Sequence, residues 1–248
     1  MLNELPALED GPAVPLRRLE RRVALVAGGG SGAGAAIARA CAAQGASVVV
    51  ADIDYALAGE IAASIRATGS AALAHRCDVA MEEQVVALLD RVAREFGGLD
   101  LVFNVAGPWL DGDALAHWSR IVNTNLLGTM HVTRHAIELL KRRGGAIINV
   151  AADAGLGFGA EDRPAYSAAK AGIMRLTAAL RSLQPQKIRV NCIVPDVIAS
   201  PEDFAAAALT LALREECAGR VALYRAGQPI QLVDYGDPGY RHSNTATW

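Results

Sequence analysis

The sequence predicts an α/β protein: one domain built on a doubly wound parallel sheet of about seven strands, with helices on both faces. Three observations carry that prediction. Strand-length segments read as unbroken apolar runs, the pattern of strands buried on both faces. Helical segments separate them, as parallel crossovers require. The first run ends in a glycine cluster that opens a helix.

Residues 1 to about 20 read as an arm, because Pro6, Gly11, Pro12 and Pro15 interrupt any periodicity. Val23-Ala24-Leu25-Val26 is the first strand, followed by an Ala-rich helical stretch from Ala33 to Gln44. Val48 to Ala51 is the second strand, Tyr55 to Thr68 a helix, and Ala71 to His75 the third strand. Met81 to Phe96 places Val85, Val86, Leu88, Leu89 and Val92 on one helical face. Leu101 to Val105, Ala146 to Val150 and Ile188 to Val194 continue the strands, separated by helical stretches near 113–140 and 165–183. A last helix at 202–215 and a strand at Ile230 to Val233 close a domain spanning 21–236. The tail, 237–248, is polar.

The chain has 248 residues, 52% apolar and 20% charged, enough to build a full core and stay soluble, which argues against a disordered chain. Net charge is −2, from 24 basic and 26 acidic residues, so no excess charge points to nucleic acid or a membrane surface. No apolar run reaches the roughly 18–20 residues of a membrane span. Met1 to Pro12 is acidic and lacks the pattern of a secretory signal. Cys41, Cys77, Cys192 and Cys217 form no Cys-x-x-Cys pair, and His75 with Cys77 is two ligands, too few for a zinc site. Buried free thiols and no metal are expected, in a reducing, cytoplasmic setting.

Gly28-Gly29-Gly30-Ser31-Gly32-Ala33-Gly34 falls between the first strand and the first helix. Glycines there let the backbone turn sharply and approach a ligand, while the helix N-terminus offers free N–H groups to a pyrophosphate. A plain glycine-rich turn is the competing reading. Asp52 lies 18 residues beyond Gly34, at the end of the second strand. A carboxylate at that point accepts both ribose hydroxyls of an adenosine and repels a 2′-phosphate, so NAD is favoured over NADP. Asp54 is its close competitor for that role.

Tyr166 and Lys170 are four apart on a predicted helix and share one face. Lysines are scarce, Lys141, Lys170 and Lys187 being the full set, which makes a chance pairing uncommon. A phenol, with an ordinary pKa of about 10, is a poor base at neutrality. A neighbouring ammonium favours phenolate and turns the pair into an acid/base device. Without the glycine loop, a surface tyrosine beside a surface lysine would be the better explanation.

These residues, taken with others in order, make the chain resemble the short-chain dehydrogenase/reductase family from about Val23 to Gly236. Gly28, Gly32 and Gly34 match its glycine loop, with Ser31 among them. Cys77-Asp78-Val79 resembles its adenine-holding segment, and Asn104-Val105-Ala106-Gly107 its Asn-Asn-Ala-Gly segment, Val105 replacing the second Asn. Asn125 matches its catalytic Asn, and Tyr166 and Lys170 its catalytic pair. Ile188-Arg189-Val190-Asn191 and Val194-Pro195 match the sixth strand and the turn beside the nicotinamide, where Ile198 also stands. Val233-Asp234-Tyr235-Gly236 resembles its ending Val-Asp-Gly-Gly. The resemblance implies a Rossmann-type fold and an NAD-dependent oxidoreductase that moves hydride between nicotinamide and a small-molecule carbonyl or secondary alcohol. It assigns Tyr166 as acid/base, Lys170 as the group that lowers its pKa and holds the ribose, and Asn125 as the residue completing a proton path. Asp78 would reach the adenine amine. Gly28, Ser31, Gly32, Gly34, Asp52, Val79, Asn104, Ala106, Gly107, Pro195 and Ile198 would complete the cofactor site.

Three departures stand beside the agreements. Asn149-Val150-Ala151-Ala152 replaces the family's Asn-Ile-Ser-Ser, leaving Ala152 where a serine polarises the substrate carbonyl, with Asp153 next in line. Pro195-Asp196 replaces a Pro-Gly turn. Ser200 matches a family threonine, but Pro201-Glu202-Asp203 already begins the next helix, so the usual substrate lid has no room; the Gly107–Asn125 segment is short as well. These departures keep open a second reading, a cofactor-binding scaffold or sensor without efficient catalysis, and a third in which even NAD binding is damaged. Trp109, Trp118 and Phe158 are candidates for a pocket lining. The helical stretches at 113–140 and 165–183, with Ala168, Ala169, Ala171, Ala178 and Ala179, match those through which the family forms homodimers and homotetramers.

Overall fold

A computed structural model describes residues 18–107, 115–157 and 163–233. Trp109, Phe158, Asp234-Tyr235-Gly236, the tail and all but the end of the arm lie outside them. The chain runs β1 (Val23–Ala27), α1 (Gly32–Ala43), β2 (Ser47–Asp52), α2 (Tyr55–Ala67), β3 (Ala72–Arg76), α3 (Glu82–Phe96) and β4 (Leu101–Asn104). After α4 (Trp118–Val122) come α5 (Gly128–Leu140), β5 (Gly145–Val150), α6 (Pro164–Ala179), β6 (Ile188–Pro195), α7 (Pro201–Leu213), β7 (Val221–Tyr224) and β8 (Gln231–Val233).

The strands form a single sheet in the order β3-β2-β1-β4-β5-β6-β7-β8. The doubly wound α/β prediction holds, with two corrections. Among the described residues the sheet has eight strands, because Val221–Tyr224 pairs in parallel with β6; four residues after Gly219-Arg220 are too short a run to read as a strand. The last strand, near the predicted Ile230 to Val233, is antiparallel to β7.

Strand alternation divides the core. Val26, Phe103, Ile148 and Ile193 face a layer with Ile37 of α1, Ile61 of α2 and Phe204 of α7. Leu25, Val102 and Ile147 face the other, with Leu88 and Val92 of α3 and Val132 and Leu140 of α5. All four cysteines are buried free thiols. Residues 18–21 pack on the domain, Leu19 being buried and its N–H donating to the Gln44 carbonyl at 2.9 Å.

The helical stretch near 113–140 is not continuous. A short 3₁₀ turn at Leu115–His117 leads into α4, and a π-helical turn over Asn123–Leu127 joins α4 to α5. That turn is the kind of local widening that re-aims a side chain, and Asn125 sits in it, fully buried. The stretch at 165–183 also divides, α6 giving way to a 3₁₀ segment over Leu180–Gln186 that contains Pro185.

Candidate active site

The parallel order reverses between β1 and β4, and loops leaving the carboxyl ends of the strands there border the crevice in which such sheets take ligands. The glycine loop leaves β1 at this point. Gly28 has a left-handed backbone (φ +83), and a Cβ on it would come within 2.5 Å of the Ala106 nitrogen in the turn after β4. At Gly34 a Cβ would overlap the Gly28 carbonyl itself, which is how α1 packs against the loop that precedes it. Ser31 is the N-cap of α1, exposed, with its hydroxyl not engaged in capping, and the first turn carries no acidic residue. An anion therefore meets a free hydroxyl and helix N–H groups.

Asp52 ends β2 facing this loop. One carboxylate oxygen accepts from the Gly30 N–H at 2.9 Å and the other from Asp54 N–H at 3.1 Å. Asp54, its competitor on sequence, caps α2 through bonds from Ala56 and Leu57 N–H. Asp78 accepts from Ala80 N–H at 2.9 Å. Val79 is buried against Gly128, and its carbonyl meets His131 Nδ1 at 3.1 Å.

Asn104 is buried, its amide donating to Asn149 Oδ1 (2.8 Å) and Thr133 Oγ1 (3.1 Å). Asn149 in turn donates to Thr177 Oγ1 at 3.0 Å. The Asn104 side chain thus ties β4 to β5 and α5 beneath the site, and its amide is directed into the core.

Gly107, Asn125 and Lys170 converge. A Cβ on Gly107 would overlap Asn125 Oδ1 and lie 3.2 Å from Lys170 Nζ. The Asn125 amide donates to the Ile121 carbonyl at 3.0 Å and its own carbonyl accepts from Thr129 Oγ1 at 2.8 Å, so the π turn is closed by side chains. Lys170, 3% exposed, donates to the Val150 carbonyl at 3.1 Å, and its Nζ stands 5.3 Å from the centre of the Tyr166 ring. Burial pushes the Lys170 ammonium down to about 8, the Cys192 thiol opposing it.

Tyr166 departs from the sequence expectation. Its pKa is raised, first by burial and then by the Asp153 carboxylate, and the cation that opposes them is Arg163 rather than Lys170. Lys170 is not among the groups that set the Tyr166 pKa, and its own is lowered by desolvation. Arg163 was missed on sequence, though its place three residues before Tyr166, at the N-cap of α6, puts both at the same helix end. Asp153 follows Ala152 in a 3₁₀ turn (Asp153–Leu156), where its carboxylate accepts from Ala154 N–H at 2.7 Å. Ser167 holds that turn to α6 by donating to the Ala154 carbonyl at 2.7 Å.

Beyond β6, Pro195 is buried while Asp196 is exposed, with its carboxylate accepting from Val197 N–H. Ile198 packs on the core beside α7. Only residues 196–200 separate β6 from α7, and Ser200 caps α7 by accepting from Asp203 N–H at 3.1 Å.

The family model for short chain dehydrogenases matches residues 22–208. The chain belongs to the short-chain dehydrogenase family. It is 37% identical over 221 residues to cis-4-hydroxycyclohexanecarboxylate dehydrogenase of Sinomonas cyclohexanicum, covering 86% of each chain. L-fucose dehydrogenase of Bos taurus is 34% identical over 228 residues, covering 87% of this chain and 82% of the relative. A crystal structure of a short chain dehydrogenase from Mycobacterium avium superimposes with a TM-score of 0.82 at 30% identity, covering 93% of this chain and 91% of that one. As a short-chain dehydrogenase, the chain is an oxidoreductase acting on CH–OH donors with a nicotinamide cofactor.

Proposed function

We propose that the chain is an NAD-dependent dehydrogenase interconverting a secondary alcohol and its ketone, with Tyr166, Lys170 and Asn125 as its acid/base assembly. The observation that carries this reading is the convergence of Gly107, Asn125 and Lys170 beneath the Tyr166 ring. Bound nicotinamide supplies the hydride acceptor or donor at its C4. Gly28, Ser31, Gly32 and Gly34 leave room for the pyrophosphate, and Asp52, already aligned by Gly30 N–H, accepts the ribose hydroxyls. Asp78, Val79, Asn104, Ala106, Gly107, Pro195 and Ile198 line the remainder, Asn104 acting through the sheet it braces.

In its phenolate form Tyr166 takes the proton of the alcohol at its phenolic oxygen, and as the phenol it returns that proton in the reverse direction. Lys170 stands behind it, held by the Val150 carbonyl, and Asn125 links the amine to the turn after β4. With Ala152 in the serine position, the substrate oxygen is polarised by Tyr166 alone, and among the described residues the short 196–200 connection supplies no lid. The two relatives named above act on a cyclic hydroxy acid and a sugar by their names, and we take a cyclic or polyhydroxylated secondary alcohol as this chain's substrate class.

One observation favours NADP instead. Arg76 is the register partner of Asp52 across β2 and β3, and it lines a shallow cavity with Ile53 and Tyr55. Parallel fluorescence titrations with NADH and NADPH separate the two; tighter NADH binding is expected, and an NADPH preference overturns the role of Asp52. Tyr166→Phe then tests the chemistry, with loss of at least about 10²-fold in turnover expected and full activity refuting it. A homodimer or homotetramer goes with this reading, supported by Trp118, Leu127 and Met130, each 38–39% exposed on the α4–α5 unit. A monomeric mass at micromolar concentration would refute that part.

A further inference from the structure

At the amino ends of the strands, on the opposite edge of the sheet from the glycine loop, lies a cavity of about 600 Å³. Its walls come from the turns entering β1, β4, β5 and β6 and from the end of α7. Arg18, Arg22, Arg143, Lys187 and Arg189 line it, against the two carboxylates of Asp100 and Glu215. Five cations facing two anions is an excess of three positive charges in a chain whose net charge is −2.

Three of the cations are fixed by partners. Asp100, buried in the cavity floor, accepts from Arg22 Nη1 at 2.8 Å and from the Val23 N–H at 2.9 Å, and stands 3.9 Å from Arg143 Nη1. Arg189 donates to the Ala212 and Arg214 carbonyls at 2.8 and 2.7 Å and so neutralises the C-terminal end of α7. Helix capping accounts for Arg189, and Asp100 for Arg22 and Arg143. Neither accounts for Arg18 and Lys187, whose side chains have no hydrogen-bond or ion-pair partner among the described residues.

Lys187 is held there by the backbone. It has a left-handed conformation (φ 60), disfavoured for a residue with a Cβ, and its carbonyl accepts from Gly145 N–H at 2.9 Å. A Cβ on Gly144 would come within 2.9 Å of that carbonyl oxygen, so the two turns are interlocked. A volume of this size suits a small molecule rather than a polymer, and unpaired Arg and Lys heads suit the oxygens of a phosphate.

We propose that this cavity binds a small phosphate-bearing anion, held by Arg18 and Lys187 with Arg22 and Arg143 behind them. The site is independent of the nucleotide crevice, since β1 alone, at about 3.3 Å per residue, separates the two by roughly 17 Å. The test is thermal unfolding of the full chain with increasing inorganic pyrophosphate at constant ionic strength, beside the Arg18→Gln/Lys187→Gln double variant. Pyrophosphate held at the glycine loop is common to both proteins, so the difference between them reports the cavity. A saturating rise in Tm that is larger by several degrees in the unsubstituted chain is expected, with unchanged NADH fluorescence titrations showing that the variant is folded. Equal shifts in the two proteins, or an equal shift with sodium chloride in place of pyrophosphate, overturn the proposal.

Discussion

On the nucleotide side of the crevice, backbone meets backbone: Gly34 against the Gly28 carbonyl, Gly28 against Ala106, the Gly30 N–H on the Asp52 carboxylate. On the proposed substrate side the walls are side chains, each engaged locally or carrying no polar group. Ala152 offers no donor, Asp196 turns onto its own neighbour, and Ser200 caps α7. A ligand held by main chain tolerates no added atom, whereas a pocket wall built from side chains can change without unfolding the protein. The first region is therefore the brittle one and the second the adjustable one.

The largest expected effect breaks the brittle side. Gly34→Ala places a Cβ into main-chain atoms that have no rotamer to escape with. NADH binding, followed by nicotinamide fluorescence, should weaken by at least about 100-fold, or roughly 3 kcal/mol. Affinity within a factor of about three of the parent would mean the loop is not tight. Next comes the adjustable side, where Ala152→Ser should raise turnover on a responsive secondary alcohol by about 10²–10³-fold, the usual worth of one such donor. An unchanged rate would show that another group already polarises the carbonyl.

The brittle side was the more legible in sequence, for a physical reason. Glycine between a strand and a helix, and a carboxylate at the next strand end, are fixed by local chain geometry, so spacing alone places Gly28, Gly34 and Asp52. The convergence at Lys170 needed the π turn at Asn125, which turns on one widened hydrogen bond ring and leaves no trace in periodicity. Arg163 and Asp153 flank Tyr166 from two different elements, and only packing brings them together. The strand β7 was missed for the same kind of reason: its four residues gain their pairing from β6, not from their own pattern.

Between the two regions sits Lys170, and its burial sets a stability cost. Its pKa is pushed down to about 8 by desolvation, below the ordinary value for lysine. Between about 8 and 10.4 the unfolded chain therefore binds more protons than the folded one, so this residue's contribution to stability rises with pH and is lost as pH falls through about 8. Lys170→Met should raise the stability at pH 7 by an amount on the order of a few kcal/mol, and the melting temperature with it, while abolishing turnover. The gain should fade above about pH 10. A lower Tm at neutral pH would mean that the bond to the Val150 carbonyl outweighs desolvation.

The smallest effect sharpens the comparison most, because it moves one charge without moving the chain. Asp153 raises the Tyr166 pKa from a turn that Ser167 holds in place, and its own carboxylate is anchored by the Ala154 N–H. Asp153→Asn keeps the shape and removes the charge. Alcohol oxidation, which gains as Tyr166 deprotonates, should then reach its plateau at lower pH, with kcat on the plateau little changed. A pH profile that stays in place would detach Asp153 from the reacting proton and leave it a surface carboxylate. A profile that moves to higher pH would mean Asp153 had been acting through a neighbouring cation, Arg163 being the one beside Tyr166, although its field at the phenol is the weaker of the two.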